Sequence, residues 1–193
     1  VGLDPGWSTS EIETGTTFEE NALLKARHYH SLTGLLTLAD DSGLEVVALG
    51  CAPGVYSARY GGQNAADADR VVRLLEELRN VPDQARGARF VCSAAAVWEA
   101  GERTFTAVAR GMVLMEPRGS GGFGYDPIFY YPALKKTFAE LSTAEKFSVS
   151  HRGLAFRQMK SWLKESGLLD TPGTGDRMDD PTSTSANSER GAL

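Results

Sequence analysis

Two long β-type runs, Ala88 to Trp98 and Thr104 to Met115, flank the short break Glu99-Ala100-Gly101-Glu102. Runs of this length joined by so few residues read as an antiparallel hairpin, which argues against an all-parallel sheet. Helix and strand signals alternate around the hairpin. Thr17-Phe18-Glu19-Glu20 is a capping-box pattern that opens a helix, with Phe18, Ala22, Ala26 and Tyr29 as its apolar stripe and Asn21, Lys25 and His28 alongside. Ala65 to Leu78 reads as a second helix, and Ser150 to about Ser166 as a third, with Ala155, Met159, Trp162 and Leu163 inward. Shorter strands are expected at Leu35 to Ala39, Leu44 to Leu49 and Ile128 to Tyr131, and a glycine-rich loop at Gly50 to Gly62. The pattern predicts a mixed α/β fold.

A chain of 193 residues is long enough for one main core. Its net charge of −5 gives no reason to expect binding to a nucleic-acid polymer, which requires a concentrated positive surface. Cys51 and Cys92 are too few for a disulfide framework and lack zinc spacing, so a reducing cytoplasm is expected. No run is apolar and long enough to cross a bilayer, and no secretory leader pattern opens the chain. Residues Val1 to Ser10 have no usable period and no initiating Met, which reads as a truncated start. Thr171 to Leu193, rich in Pro, Gly, Ser, Thr and Asp, is expected to be a disordered tail following a single domain over residues 1–169.

Three clusters carry chemistry. In Ala39-Asp40-Asp41-Ser42-Gly43-Leu44, two carboxylates are expected at the C-terminal end of the Leu35 strand, where open α/β sheets place ligands. Alternation along a strand would turn one of them to a cleft and the other away. The structural alternative is a polar strand end with Ser-Gly building a turn. Gly119-Ser120-Gly121-Gly122-Phe123-Gly124-Tyr125-Asp126-Pro127 formally contains GxGxxG, but Pro127 and an aromatic strand follow where a dinucleotide-binding helix should start. It remains a loop able to approach a ligand closely, with aromatic rings for stacking, or simply a packed hairpin loop. Lys146, Ser148, Ser150, His151 and Arg152 gather at the start of the last helix, where the dipole favours anions. Ser150 is equally explained as an N-cap.

Taken together, the stretches Glu13 to Ala22, Ala39 to Leu44, Ala52 to Tyr60, Gly122 to Phe129 and Ser150 to Gly153 closely resemble, in order and spacing, the inosine/xanthosine triphosphate pyrophosphatases, the Ham1-like house-cleaning enzymes. The resemblance covers roughly Gly2 to Leu169. It implies hydrolysis of non-canonical purine nucleoside triphosphates (ITP, dITP, XTP) to the monophosphate and pyrophosphate. It also implies an elongated α/β fold with a long twisted mixed sheet, two lobes with the nucleotide between them, and a homodimer. By the same resemblance Asp41 is the proton acceptor and a Mg2+ ligand, with Glu13 and Asp40 as further metal carboxylates. Lys25 and Ser42 would contact phosphate. Phe123, Gly124, Tyr125 and Asp126 would enclose base and sugar, and Lys146, His151 and Arg152 would complete purine recognition.

The chain departs from that pattern in three places. Family members normally begin with a strand ending in a Thr/Ser-x-Asn-x-x-Lys loop, and no such segment precedes Val1. Its loss is expected to remove a strand, a helix and a phosphate-binding Lys, weakening stability and activity. Cys51 stands where a second Gly is usual, and Phe147 where Asn or another polar residue is common. Two other classes fit less well: a nucleotide-binding remnant without catalysis, and a Maf-like pyrophosphatase of modified pyrimidine triphosphates.

Overall fold

The computed structural model describes residues 12–62 and 65–169; the abrupt start and the disordered tail read from the sequence lie outside them. The elements are α1 (Phe18–Thr33), β1 (Thr37–Val46), α2 (Asp67–Glu77), β2 (Gly87–Trp98), β3 (Gly101–Val113), β4 (Phe129–Tyr131), β5 (Lys136–Thr137), α3 (Thr143–Val149) and α4 (His151–Glu165). The strands form one sheet in the order β1-β2-β3-β4-β5, and every pairing among the described residues is antiparallel. The α/β class and the central hairpin are as expected, with Trp98 opposite Gly101 at the turn.

Helix α1 begins where the capping box places it. Thr17 Oγ1 accepts the Glu20 N–H, and the Glu20 carboxylate accepts the Thr17 N–H, so two otherwise orphaned donors are met. The helix ends at Gly34, whose φ of 66° favours glycine. Its stripe Phe18, Ala22, Ala26 and Tyr29 is buried against the sheet, where Ala22 and Ala26 meet Ala95 and Val97. Helix α4 covers the opposite face, and Ala155, Met159 and Leu163 join Cys92, Ala94, Ala96, Phe105 and Ala107. With both faces covered, β2 is buried without a break from Phe90 to Val97 instead of alternating. Its three central alanines let both helices approach closely.

The sequence expectation fails along β1. Asp40, Asp41, Ser42 and Gly43 form no turn; they continue one strand and pair with Ala94, Ser93, Cys92 and Val91 of β2. The two aspartates therefore lie in the middle of a strand, not at its end. Gly43 is there because of a close approach: a Cβ would collide with Ser57 Oγ, the Gly54 carbonyl and the Phe18 ring. The expected second strand stops at Val46 and passes into a short 3₁₀ turn over Val47–Leu49.

At the far end of the sheet the main core gathers Leu44, Val46, Leu74, Leu78, Val113 and Ile128 around three phenylalanines. Phe90 lies 4.7 Å from Phe129 and 5.7 Å from Phe138, centroid to centroid. Arg86, 1 % exposed, is the polar rivet of this end. Its guanidinium donates to the carbonyls of Leu78 (2.7 Å), Val113 (2.9 Å) and Leu114 (2.9 Å), joining the end of α2 to the exit of β3. With Val81 (3.3 Å) as a fourth, the acceptors for this five-donor side chain are all main-chain carbonyls.

Candidate active site

Because successive strand residues point to opposite faces, β1 divides the two aspartates. Asp41 faces α1. Its Oδ1 lies 2.9 Å from Lys25 Nζ, its Oδ2 3.3 Å from Asn21 Nδ2, and the same Lys25 Nζ lies 2.8 Å from Glu13 Oε1. Lys25 and Asn21 are one helical turn apart, so both reach the strand from one side of α1. Arg59 approaches Glu13 at 3.8 Å from the 3₁₀ segment Gly54–Arg59, completing a compact set of two carboxylates and two cations. That segment is held under β1 by Ser57, whose hydroxyl accepts the Leu44 N–H (2.9 Å) and donates to the Gly54 carbonyl (2.7 Å).

Burial pushes the Asp41 carboxyl above its usual range, and the nearby Glu13 charge adds to this; Lys25 opposes both without cancelling them. For Lys25, burial acts to lower the pKa, but its bonds to Glu13 and Asp41 outweigh it and the pKa is raised. The ammonium therefore stays charged, beside a carboxylate more basic than normal.

Asp40 faces the other way. Its Oδ2 accepts from Arg152 Nε (2.9 Å), from Ser42 Oγ (3.4 Å) and at 3.7 Å from the buried Cys92 thiol, and forms an ion pair with Arg152 Nη2 at 2.8 Å. The Cys92 thiol is pushed up to about 12, by burial first and then by the Asp40 charge. Of the carboxylates proposed from the sequence, Asp41 and Glu13 come together and Asp40 does not join them. Ser42 likewise sits on the Asp40 side, away from Lys25.

Around the free edge of β1 lies a hollow lined by Ser42 and Gly43 of β1, Ser57 and Ala58 of the segment beneath it, Phe90 of β2, Phe123, Tyr125 and Asp126 of the glycine loop, and His151 at the head of α4. The loop is shaped by Asp126, 2 % exposed, which accepts the Phe123 N–H at 2.7 Å and pairs with Lys146. Gly122, with φ 75°, lies against that carboxylate so closely that no Cβ would fit. Asp67, at the start of α2, accepts the Gly124 N–H at 2.6 Å. Tyr125 is buried, and its hydroxyl donates to the Ser57 carbonyl (3.0 Å), tying the glycine loop to the segment under β1.

Phe123 is left 61 % exposed, with Lys146 Nζ 4.4 Å and the Arg152 guanidinium 5.9 Å from its ring centroid. On its other side a second apolar recess is lined by Leu141, Phe147 and Phe156 together with Lys146, Ser150 and Arg152. Ser150 is the N-cap of α4 and accepts the Gly153 N–H at 3.1 Å. His151 stacks on Phe90 at 4.6 Å, and its buried Nδ1 has no hydrogen-bond partner. Its pKa is lowered to about 3, by burial and then by Arg152 and Lys146, so the ring is neutral near pH 7.

The sequence motifs on β1, the glycine loop and α4 thus meet. Asn21, Ser57, Arg59 and Asp67 were not singled out as site residues. The one available signal was the spacing of Asn21 and Lys25, which puts both on the same helical face. Helix α3, with its own Ser142–Glu145 capping box, also went unread.

The sequence model of the Ham1 family matches residues 4–162. The chain is 52 % identical over 160 residues to a dITP/XTP pyrophosphatase of Yersinia pestis, covering 81 % of each. It is 51 % identical over 175 residues to one from Thermus thermophilus, covering 85 % of this chain and 84 % of the relative. Among solved structures, the Ham1 protein of Staphylococcus aureus superposes with a TM-score of 0.78 at 40 % identity, over 84 % of this chain and 83 % of that one. A HAM1 protein from Coxiella burnetii gives 0.76 at 46 % identity, over 81 % and 84 %. With the matched region spanning the acid-lysine cluster, the glycine loop and the head of α4, the chain belongs to the Ham1 family.

Proposed function

We propose that the chain hydrolyses non-canonical purine nucleoside triphosphates, ITP, dITP and XTP, to the monophosphate and pyrophosphate, clearing deaminated bases from the nucleotide pool. The observation that carries this reading is that one strand serves both halves of the task. Asp41 on one face of β1 sits in an acid-lysine cluster, and Ser42 and Gly43 line the aromatic hollow with Phe123 and His151. The names carried by relatives at about half identity support the same chemistry.

Asp41 takes the proton from water as it attacks the α-phosphorus, a role favoured by its raised pKa. Lys25, held between Asp41 and Glu13, supports the charge that develops on the leaving pyrophosphate. Glu13 and Asp41 offer an oxygen-only donor set of the kind a hard cation prefers. Among the described residues no third such ligand joins them, so phosphate oxygens and water would complete the shell of a bound cation. These two residues would hold Mg2+, which when bound offsets phosphate charge and orients water.

Phe123 provides the face on which a purine stacks, and Asp126 fixes the loop that presents it. Arg152 donates to the 6-oxo group of hypoxanthine or xanthine. Adenine turns a donor to it instead, and an unmet buried donor costs about 1–3 kcal/mol. Guanine also carries the 6-oxo group, so its 2-amino group must be opposed elsewhere. The reading includes a homodimer and a cytoplasmic setting; among the described residues, no helix is long and apolar enough to cross a membrane.

The test is a panel of ITP, dITP, XTP, GTP, ATP and modified pyrimidine triphosphates with Mg2+, with pyrophosphate and inorganic phosphate read separately. Pyrophosphate from ITP and XTP well above ATP is expected. Phosphate as the product, a pyrimidine preference or binding without turnover would overturn the reading.

A further inference from the structure

We infer that Asp40 is a positioning residue for base recognition, acting through Arg152, and not a metal carboxylate. This rests on the pyrophosphatase reading above and deepens it. Adjacent strand residues face opposite ways, and the contacts follow: Asp41 meets Lys25 of α1, whereas Asp40 meets Arg152 of α4. One oxygen of Asp40, Oδ2, accepts the Arg152 Nε–H at 2.9 Å with Nη2 in ion-pair contact at 2.8 Å, and also accepts from Ser42 Oγ at 3.4 Å and the Cys92 thiol at 3.7 Å. Asp40 thus lies across the strand from Asp41 and Glu13, the two carboxylates close enough to share a cation.

The geometry is that of a guide rail. Arg152 is half exposed and leaves the first turn of α4 as a long side chain with many rotamers open to it. Of its five N–H groups, the one on Nε is spent on Asp40 and Nη2 is drawn to the same oxygen, which leaves donors on the outer edge for a ligand. Those donors are held near Phe123, the stacking face, because the guanidinium carbon lies 5.9 Å from that ring's centroid. Without Asp40 the fork would keep its charge but lose its direction. Selectivity needs direction, since a loosely held guanidinium follows phosphate as readily as a 6-oxo group. An ion pair this exposed adds little to stability, so its value lies in orientation.

The test uses the full chain and two readouts. Binding of IMP is measured by calorimetry or NMR in EDTA, where no metal contributes, and turnover of ITP and ATP is measured across a Mg2+ titration. Asp40→Asn, Arg152→Ala and the double variant are compared, with Asp40→Ser as a second truncation if the first proves insoluble. Expected for Asp40→Asn are IMP binding weakened about fivefold or more and the ITP-over-ATP preference reduced by a similar factor. Saturated kcat should stay within about twofold, the Mg2+ concentration for half activity should be unchanged, and the double variant should be no worse than Arg152→Ala. Undiminished IMP binding by Asp40→Asn, a shifted Mg2+ requirement, or an effect that multiplies onto Arg152→Ala would overturn the inference alone. Wild-type chain that binds no IMP and turns over no ITP would overturn the underlying reading, and this inference with it.

Discussion

Lys25 Nζ lies 2.9 Å from Asp41 Oδ1 and 2.8 Å from Glu13 Oε1, so one ammonium on α1 joins a strand carboxylate to the loop ahead of the helix. All three side chains are largely withdrawn from water. The Lys25 contribution to stability is complete below the ordinary lysine range and is lost as pH rises through its raised pKa. Lys25→Met leaves two carboxylates facing each other, and removing one partner from a buried pair costs about 3–5 kcal/mol. The expected result is a marked fall in Tm. Where the variant folds, the acid limb of its kcat/KM profile should move to higher pH, because Lys25 holds the Asp41 pKa down. An unmoved limb would contradict the assigned coupling.

His151 makes stability pH-dependent in the opposite range. Its folded pKa of about 3 lies below the unfolded value near 6.5, so the unfolded chain binds the extra proton. Stability should fall as pH drops from about 6.5 towards 3, by about 2 kcal/mol between pH 7 and pH 5 from this group. Urea melts of wild type and His151→Gln at both pH values check it. The wild type should lose more than the variant.

Phe123 is exposed and its loop is braced by Asp126 instead of by its own ring. Base-aromatic stacking contributes about 1–3 kcal/mol, so Phe123→Ala should raise KM for ITP by about tenfold. Tm should be almost unchanged. Steady-state kinetics beside a thermal melt separates this from a folding defect.

Arg86 carries no chemistry, and its loss should be felt in stability alone. Arg86→Met strips donors from the Leu78, Val113 and Leu114 carbonyls, and each buried unmet group costs about 1–3 kcal/mol. A loss of at least about 3 kcal/mol is expected, lowering Tm by roughly 10 °C. KM of the folded fraction should match wild type.

Local signals were strong wherever one element accounts for itself. The Thr17 capping box, the Phe18-Ala22-Ala26-Tyr29 stripe and the β2-β3 hairpin all stand where periodicity and turn length put them. The reading failed at Asp41-Ser42-Gly43 because Gly43 answers to a distant neighbour, the Ser57 segment, and not to a turn. Ser57, Arg59 and Asp67 were silent for the same reason: their partners, Leu44, Glu13 and Gly124, are fixed by the fold alone. Cys51 is a smaller case. At φ 70° it occupies a conformation that glycine adopts without strain, so Cys51→Gly should leave Tm equal or higher.

The central claim is that Asp41 performs the proton transfer while the neighbouring aromatic hollow reads the base. Asp41→Asn separates the two most directly, since Lys25 keeps Glu13 as a partner and the aromatic hollow is untouched. Pyrophosphate release from ITP should fall by at least about a hundredfold, with IMP affinity and the circular-dichroism spectrum as in wild type. Release near the wild-type rate would contradict the account.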